Sequence, residues 1–412
     1  MSNTVIRSIT FSVDLFKINN IDYQNEVKNK IEIIRKGFLE KNIKLRTIRI
    51  NIIKLDFSQR PEKYLFLNNV KLLSSFCESL KIRWFNISID LVNSNIKNIK
   101  IASEISLEIL KKHKNAFINL IVSDKDKINF NAIKESSKFI LDVSKLSHNG
   151  YDNFRVGINT NSKSDTPFFP FSFASKELSF SVAIESINLI ENLLNKNSSK
   201  EINLLEIQNK IVVQLTKSIL LINNISEKLS VTSDSLYSGI DFSLAPYPNE
   251  KISVVKLLNH LGLNKFGFNG SLFLTSYFTN ILKDVKKNNQ IKTTGFNGVM
   301  YSLLEDHLLC ESNNDKFLSI DQLTLYSTLC ACGLDMIPIP GNTLPEEIES
   351  IILDIASISS RLNKQLGIRL LPIPNKVENE FTEFDMDFIS NTRILNIKNS
   401  SFKNDSNYFK YL

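Results

Sequence analysis

An α/β fold, built as one barrel-like unit with helical insertions, is the class this 412-residue chain predicts. Three features predict it. Strand-like and helix-like segments alternate as far as Asn159 at the spacing of parallel strands joined by crossover helices. The strand-like segments each carry a polar side as well as an apolar one. No Gly/Ser linker or charge block divides the chain, so residues 1–399 read as a single domain with a helical insertion at about 179–230, followed by a polar tail at 400–412.

Taken in order, Val5 to Leu15 reads as a strand and Gln24 to Lys41 as a helix that gathers Val27, Ile31, Ile34 and Phe38 on one face. The pattern repeats with Leu45 to Leu55 (strand), Glu62 to Lys81 (helix), Trp84 to Val92 (strand) and Lys97 to His113 (helix). Phe117 to Ser123 (strand), Asn131 to Leu146 (helix) and Phe154 to Asn159 (strand) follow. Ser179 to Asn195 and Glu201 to Leu229 read as two long helices, and Gly239 to Ala245 as a strand. The remainder is helix-rich, with strand pieces near Val299 and at Gly367 to Leu371.

A parallel strand covered on both faces should be almost continuously apolar. Here Ile48, Ile50 and Ile52 oppose Arg49 and Asn51, and Phe85, Ile87 and Ile89 oppose Asn86, Ser88 and Asp90. Phe154, Val156 and Ile158 oppose Arg155, Gly157 and Asn159. Ile240, Phe242 and Leu244 oppose Asp241 and Ser243, and Ile368 and Leu370 oppose Arg369. With helices on the apolar sides, the polar sides converge on an interior. Unpaired guanidinium groups cannot sit in a dry core, so that interior is expected to be a polar cavity in which Arg49, Arg155 and Arg369 offer fork-shaped donors to carboxylate or phosphate. The alternative is that these arginines form a closed network with Asp90 and Asp241, or sit near strand ends in solvent.

Composition removes several function classes. The net charge of +7 comes from lysines dispersed along helical faces, which lacks the concentrated basic footprint of a nucleic-acid binder. No apolar run reaches membrane-spanning length, and the longest, Ile211 to Ile225, is broken by Gln214 and Lys217. Met1 to Ile9 has no signal-peptide pattern, so a cytoplasmic location is expected. Cys77, Cys310, Cys330 and Cys332 form no paired CxxC framework, and His113, His148, His260 and His307 are scattered, so neither a metal site nor any cofactor is predicted.

The densest chemistry lies in Leu329 to Thr343, where Cys330, Cys332, Asp335, Pro338, Pro340 and two glycines follow an amphipathic run. Prolines and glycines read as a stiff irregular loop that presents a thiol, with small apolar filler as the alternative for either cysteine. Thr166-Pro-Phe-Phe169-Pro170 reads as a rigid aromatic wall and Asp241 to Pro246 as a strand end bearing a carboxylate and Ser243. Gly267 to Ser271 reads as a turn and helix N-cap, with an anion held by its backbone amides as the alternative, and Glu305-Asp306 as a carboxylate pair pointing to different faces.

As an ordered set across most of the chain, Thr166 to Pro170, Gly239 to Pro246, Gly262 to Ser271, Gly295 to Asp306 and Cys330 to Thr343 resemble the conserved blocks of the domain of unknown function 711 family of bacteria and archaea. The resemblance implies a ten-stranded β/α barrel like that of pyruvate formate-lyase and anaerobic ribonucleotide reductase, with a loop carrying a cysteine to the centre. It aligns Cys330 with that cysteine, Gly333-Leu334-Asp335 with the following triplet, Pro338, Pro340 and Gly341 with a rigid turn, Glu305 and Asp306 with an acidic pair, and Asp241 with a strand-end aspartate. The chain departs from the pattern at Phe173-Ala174, where a Tyr-His pair is usual, at Ala331 and Cys332, and at Asn342 in place of a common aspartate. No glycine follows Gly367, so self-contained glycyl-radical chemistry is excluded.

The expectation is an enzyme acting on a small anionic metabolite, with Cys330 as nucleophile or acid/base and Asp335, Glu305 or Asp241 moving protons. Arg49, Arg155, Asn159, Ser243, Arg369 and Phe169 are expected to bind the substrate. A non-catalytic metabolite-binding or sensor protein is the competing expectation. No nucleic-acid or membrane partner is expected, and an assembly of identical subunits is left open.

Overall fold

The computed structural model describes residues 4–59, 62–162, 165–195, 203–398 and 406–410. The first stretch follows the predicted alternation: β1 (Val5–Val13), α1 (Ile21–Glu40), β2 (Lys44–Leu45), β3 (Ile48–Ile52), β4 (Leu55–Asp56), α2 (Lys63–Ser79), β5 (Phe85–Asp90) and α3 (Ile96–Lys112). It continues through β6 (Ala116–Ser123), β7 (Lys127–Asn129), α4 (Phe130–Ser144) and β8 (Val156–Thr160). Asparagine, abundant in this sequence, starts many of these helices: the side chains of Asn20, Asn95 and Asn129 accept the first free amides of α1, α3 and α4. On α1 the buried face is Val27, Ile31, Ile34 and Phe38, as the 3.6-residue period requires.

Beyond β8 the order is β9 (Ser179–Ile184), α5 (Ile187–Asn195), α6 (Leu204–Ser233), β10 (Leu236–Asp241), α7 (Val254–His260), α8 (Ser271–Lys286), α9 (His307–Asn314), α10 (Ile320–Tyr326), β11 (Gly333–Pro340), α11 (Pro345–Arg361), β12 (Leu366–Ile373) and β13 (Tyr408–Lys410). Two segments differ from expectation. Ser179 to Ile184 is a strand, not the start of a helix: Phe180, Val182 and Ile184 alternate with Ser179, Ser181 and Ala183 at period two, and the helix begins only at Ile187. Gly333 to Pro340 is likewise a strand, where prolines suggested an irregular loop. Pro338 and Pro340 are tolerated because β11 lies at the end of the main strand path, where a missing amide costs no ladder bond.

One large, mostly parallel sheet runs β10-β9-β1-β3-β5-β6-β8-β12-β11. Only the β1/β9 and β8/β12 pairings on this path are antiparallel, so β1, β3, β5, β6 and β8 point one way and β9, β10, β11 and β12 the other. Beyond both ends of the path lies residues 293–302, bridged in parallel to β10 through Ile240–Thr293 and Leu244–Val299, and to β11 through Ser302–Asp335. Helices cover the apolar side, with α1 against α6 and α3 and α11 against α4. Among the described residues no helix is long and apolar enough to cross a membrane.

The polar sides do converge, but on main chain and not on a broad cavity. The segment Thr166 to Ser172 passes between the strands, and its carbonyl oxygens accept the inward side chains. Thr10 Oγ1 donates to Pro167 O at 3.2 Å, Ser88 Oγ to Ser172 O at 2.7 Å and Asn159 Nδ2 to Phe171 O at 3.4 Å, and Asn86 Nδ2 also donates to Ser172 O. Asn51 Nδ2 donates to Ser172 Oγ at 2.8 Å. An irregular segment can be buried this way because strand side chains take over its hydrogen bonding.

Candidate functional site

Two connected spaces remain around this segment. The outer vestibule, about 520 Å³, is lined by Arg7, Arg46, Arg49, Lys81 and Arg83 with Trp84, Tyr247 and Phe388. The inner chamber, about 70 Å³, is bounded by the rings of Phe117, Phe168, Phe169, Phe171 and Phe296 and by Ser302, Cys332, Asp335 and Arg369. Arg7, Arg49, Trp84, Phe154 and Glu305 belong to both walls and mark the passage between them.

Local irregularities aim the polar groups. Between Ile6 and Ser8, β1 has one residue more than β9, and the extra residue is Arg7; this bulge turns it from the strand's alternation toward the passage. A second bulge adds a residue to β11 between Leu334 and Ile337, beside Asp335, whose carboxylate then meets Arg369 on β12. Arg369 Nε donates to Asp335 Oδ1 at 2.7 Å, and Nη2 to Asp335 Oδ2 at 2.9 Å and to Glu305 Oε2 at 3.1 Å. Glu305 Oε2 also accepts from Ser302 Oγ at 2.6 Å. Burial raises the Asp335 pKa against the pull of Arg369.

Arg49 is different. Its guanidinium lies over the Phe169 ring, 5.1 Å from the centroid, and no hydrogen bond reaches its Nε. Burial, then the charges of Arg7, Arg369 and Arg83, lowers its pKa to about 10, with Glu305 the opposing influence. An arginine stays charged under such conditions, so the shift expresses unmet demand for an anion.

The thiols separate by one position. Cys332, not Cys330, lines the chamber, and its Sγ accepts a hydrogen bond from Tyr301 N at 3.2 Å. Cys330 lies behind it. A hydrogen bond from Cys332 holds the Cys330 thiol down at about 6, with Lys364 and the amides of Gly333 and Cys332 adding to the effect, and Cys332 is pushed up in return. The two titrate as one unit whose first proton leaves easily. Cys77 and Cys310 are buried and burial pushes both up.

Of the residues singled out from sequence, the structure brings Arg49, Phe169, Glu305, Asp335 and Arg369 together and leaves the others outside. Arg155 is not in the cavity. The 3₁₀ turn Tyr151–Arg155 breaks the alternation read for β8 and sends its guanidinium to the end of α3, where it donates to Leu110 O, His113 O and Ala116 O and pairs with Asp152. Asn159 serves the central segment. Asp241 and Ser243 form a clamp instead of a proton relay: Asp241 accepts from Ser243 Oγ at 2.6 Å, Phe296 N at 2.7 Å and Asn297 N at 3.2 Å, holding residues 293–302 against β10. Asp306, expected on a different face from Glu305, is a buried cap of α9 and accepts from Ser253 Oγ at 2.6 Å. Sequence reasoning passed over Arg7 because of its bulge, Trp84 because it precedes the strand it was read with, and Arg83 because it fell between the helix and strand readings.

The family model described as Uncharacterised ACR (DUF711) matches residues 1–391. The chain belongs to this family. Its relatives include UPF0210 proteins from Clostridium perfringens, 28% identical over 264 residues, and from Pyrobaculum arsenaticum, 24% identical over 259 residues. These matches span 62% of this chain and 57% and 56% of those relatives, so the aligned stretch is little more than half of each relative's length. Ligilactobacillus salivarius has another UPF0210 protein, 28% identical over 271 residues, covering 64% of this chain and 58% of that protein. The family thus reaches both bacteria and archaea.

Proposed function

We propose that this DUF711 protein is an enzyme that binds a small anionic metabolite at Arg49 and acts on it through the Cys330–Cys332 thiol pair, without radical chemistry. The observation that carries the reading is a half-buried arginine whose buried Nε is unmet, in the wall it shares with a thiol and two carboxyl groups. In this reading Cys332 Sγ adds to an electrophilic carbon of the bound anion while the Cys330 thiolate takes the Cys332 proton. The electron pair displaced onto the ligand's oxygen is met by the positive field of Arg49. Glu305 and Asp335 are the carboxyl groups within the same walls for proton exchange. Residues 293–302, bridged to both end strands, support closure of the sheet into a ring of five strands each way, the ten-strand barrel implied by the pyruvate formate-lyase-like resemblance. Four unpaired thiols suit a reducing cytoplasm.

The alternative, a binding or sensor protein, is favoured by one observation: Arg369 already engages both Asp335 and Glu305. Mass spectrometry of the small molecule that co-purifies with the chain supplies the ligand for a test. Cys332→Ser is expected to abolish its turnover while binding persists. Full turnover in both Cys332→Ser and Cys330→Ser would reject the thiol mechanism, and no turnover by the wild-type chain would leave the binding reading, in which Arg49→Ala abolishes binding while both cysteine variants bind normally.

A further inference from the structure

The vestibule contains more positive charge than a simple carboxylate can balance. Arg46 is taken up by Glu185 and Glu250, and Arg35 pairs with Glu32 at 2.9 Å. Arg7, Arg49, Lys81 and Arg83 remain, and among the described residues none of them has a carboxylate within ion-pair distance. Arg7 donates only to the carbonyl of Ala245, at 3.2 Å, and Arg83 lies over the Trp84 ring at 4.4 Å. Glu305, the one acidic group shared with the inner chamber, is held by Arg369. A monocarboxylate would leave most of this charge unmatched, whereas a phosphate ester brings about −1.5 to −2 and several acceptor oxygens.

The two spaces also differ in size. The outer one admits a phosphorylated body, while the inner one, ringed by six phenylalanines, has room for a group of a few heavy atoms. We infer that the ligand is a phosphorylated metabolite, its phosphate or diphosphate held by Arg7, Arg49, Lys81 and Arg83 and its small reacting end passing Phe154 to reach Cys332. This rests on the anion-site reading above and names its substrate class. Trp84 carries the report of binding, because it lines both spaces and is the single tryptophan of the chain.

The test titrates the full chain with inorganic phosphate, pyrophosphate and acetate, read by Trp84 emission and by calorimetry. Pyrophosphate is expected to bind most tightly, phosphate next and acetate weakly, with affinity falling as salt rises. Arg83→Gln, at an exposed position that should not disturb folding, and Arg49→Gln should each weaken pyrophosphate by about tenfold or more, the worth of a charge-assisted hydrogen bond. Acetate binding as tightly as pyrophosphate, and lost in Arg49→Gln, overturns the phosphorylated class but leaves the small-anion site standing. Pyrophosphate binding unaffected by Arg83→Gln and Arg49→Gln overturns the placement. Failure of all three anions to bind overturns both.

Discussion

Replacing Arg369 with Met tests the charge network at the chamber wall. The wild-type guanidinium is 3% exposed and makes three charge-assisted bonds, two of them to an Asp335 side chain only 9% exposed. Glu305, at 19% exposure, can turn toward water and contributes less. Removing one partner of such a pair leaves a buried charge behind, which costs about 3–5 kcal/mol. For a chain of this length an unfolding entropy of roughly 0.9 kcal/mol/K converts that into a melting point lower by about 3–6 °C. The deficit should depend on pH. Burial already raises the folded-state pKa of Asp335, and without the arginine it rises further, so the folded variant holds its proton more tightly and loses more stability than wild type as pH rises through that range. The variant should therefore stand closer to wild type at pH 5 than at pH 8. Thermal denaturation followed by circular dichroism at both pH values measures this, and Arg369→Met with Asp335→Leu should recover most of the loss. A deficit under about 1 kcal/mol, or a double variant no better than the single one, would refute the claim that Asp335 depends on this partner.

Three further outcomes follow from the same geometry. Arg155→Met strips the donor from the carbonyls of Leu110 and His113 at the end of α3 and of Ala116 at the start of β6, and should lower the melting temperature while leaving Trp84 emission and anion binding unchanged; lost binding with intact stability would return Arg155 to the site. Gly295 has φ +74°, and a Cβ there would lie 2.3 Å from Asp241 Oδ2, so Gly295→Ala should loosen residues 293–302 and destabilise the chain by more than about 2 kcal/mol, seen as faster amide exchange at Phe296 and Asn297. The thiol pair should react with iodoacetamide at lower pH than an ordinary thiol, because a lowered pKa lets thiolate accumulate earlier as pH rises. Cys77 and Cys310 should stay inert until far higher pH, and Cys332→Ala, which removes the bond that holds Cys330 down, should move the remaining reaction to higher pH.

The sequence made legible what depends on periodicity. Helix faces such as Val27, Ile31, Ile34 and Phe38, and inward polar positions such as Asn51, Asn86 and Asn159, lie where the 3.6 and 2.0 repeats put them. What depends on breaking a repeat was hidden. Arg7 is the additional residue of a bulge, and Arg155 belongs to a 3₁₀ turn that rotates it out of register. Ser179 to Ile184 has strand alternation but runs almost directly into a helix, and β11 carries prolines that only an end position accommodates. The choice between Cys330 and Cys332 turned on one step along an extended segment, which composition cannot decide. The filled interior also lay beyond reach, because a segment of prolines and phenylalanines gives no sign that three strands will direct side-chain amides and hydroxyls at its carbonyls.

That threaded segment separates the geometry of the hollow from the geometry of the sheet. The strands grip its backbone, so the aromatic rings it displays can change without moving any strand. Phe171 is the least free of them, since Gly157 and Gly367 are both hollowed out beneath its ring. Phe168 and Phe169 carry no such restriction in their neighbours' backbone, and exchanging them for smaller or polar residues is a route by which one scaffold could be refitted to reacting groups of different size.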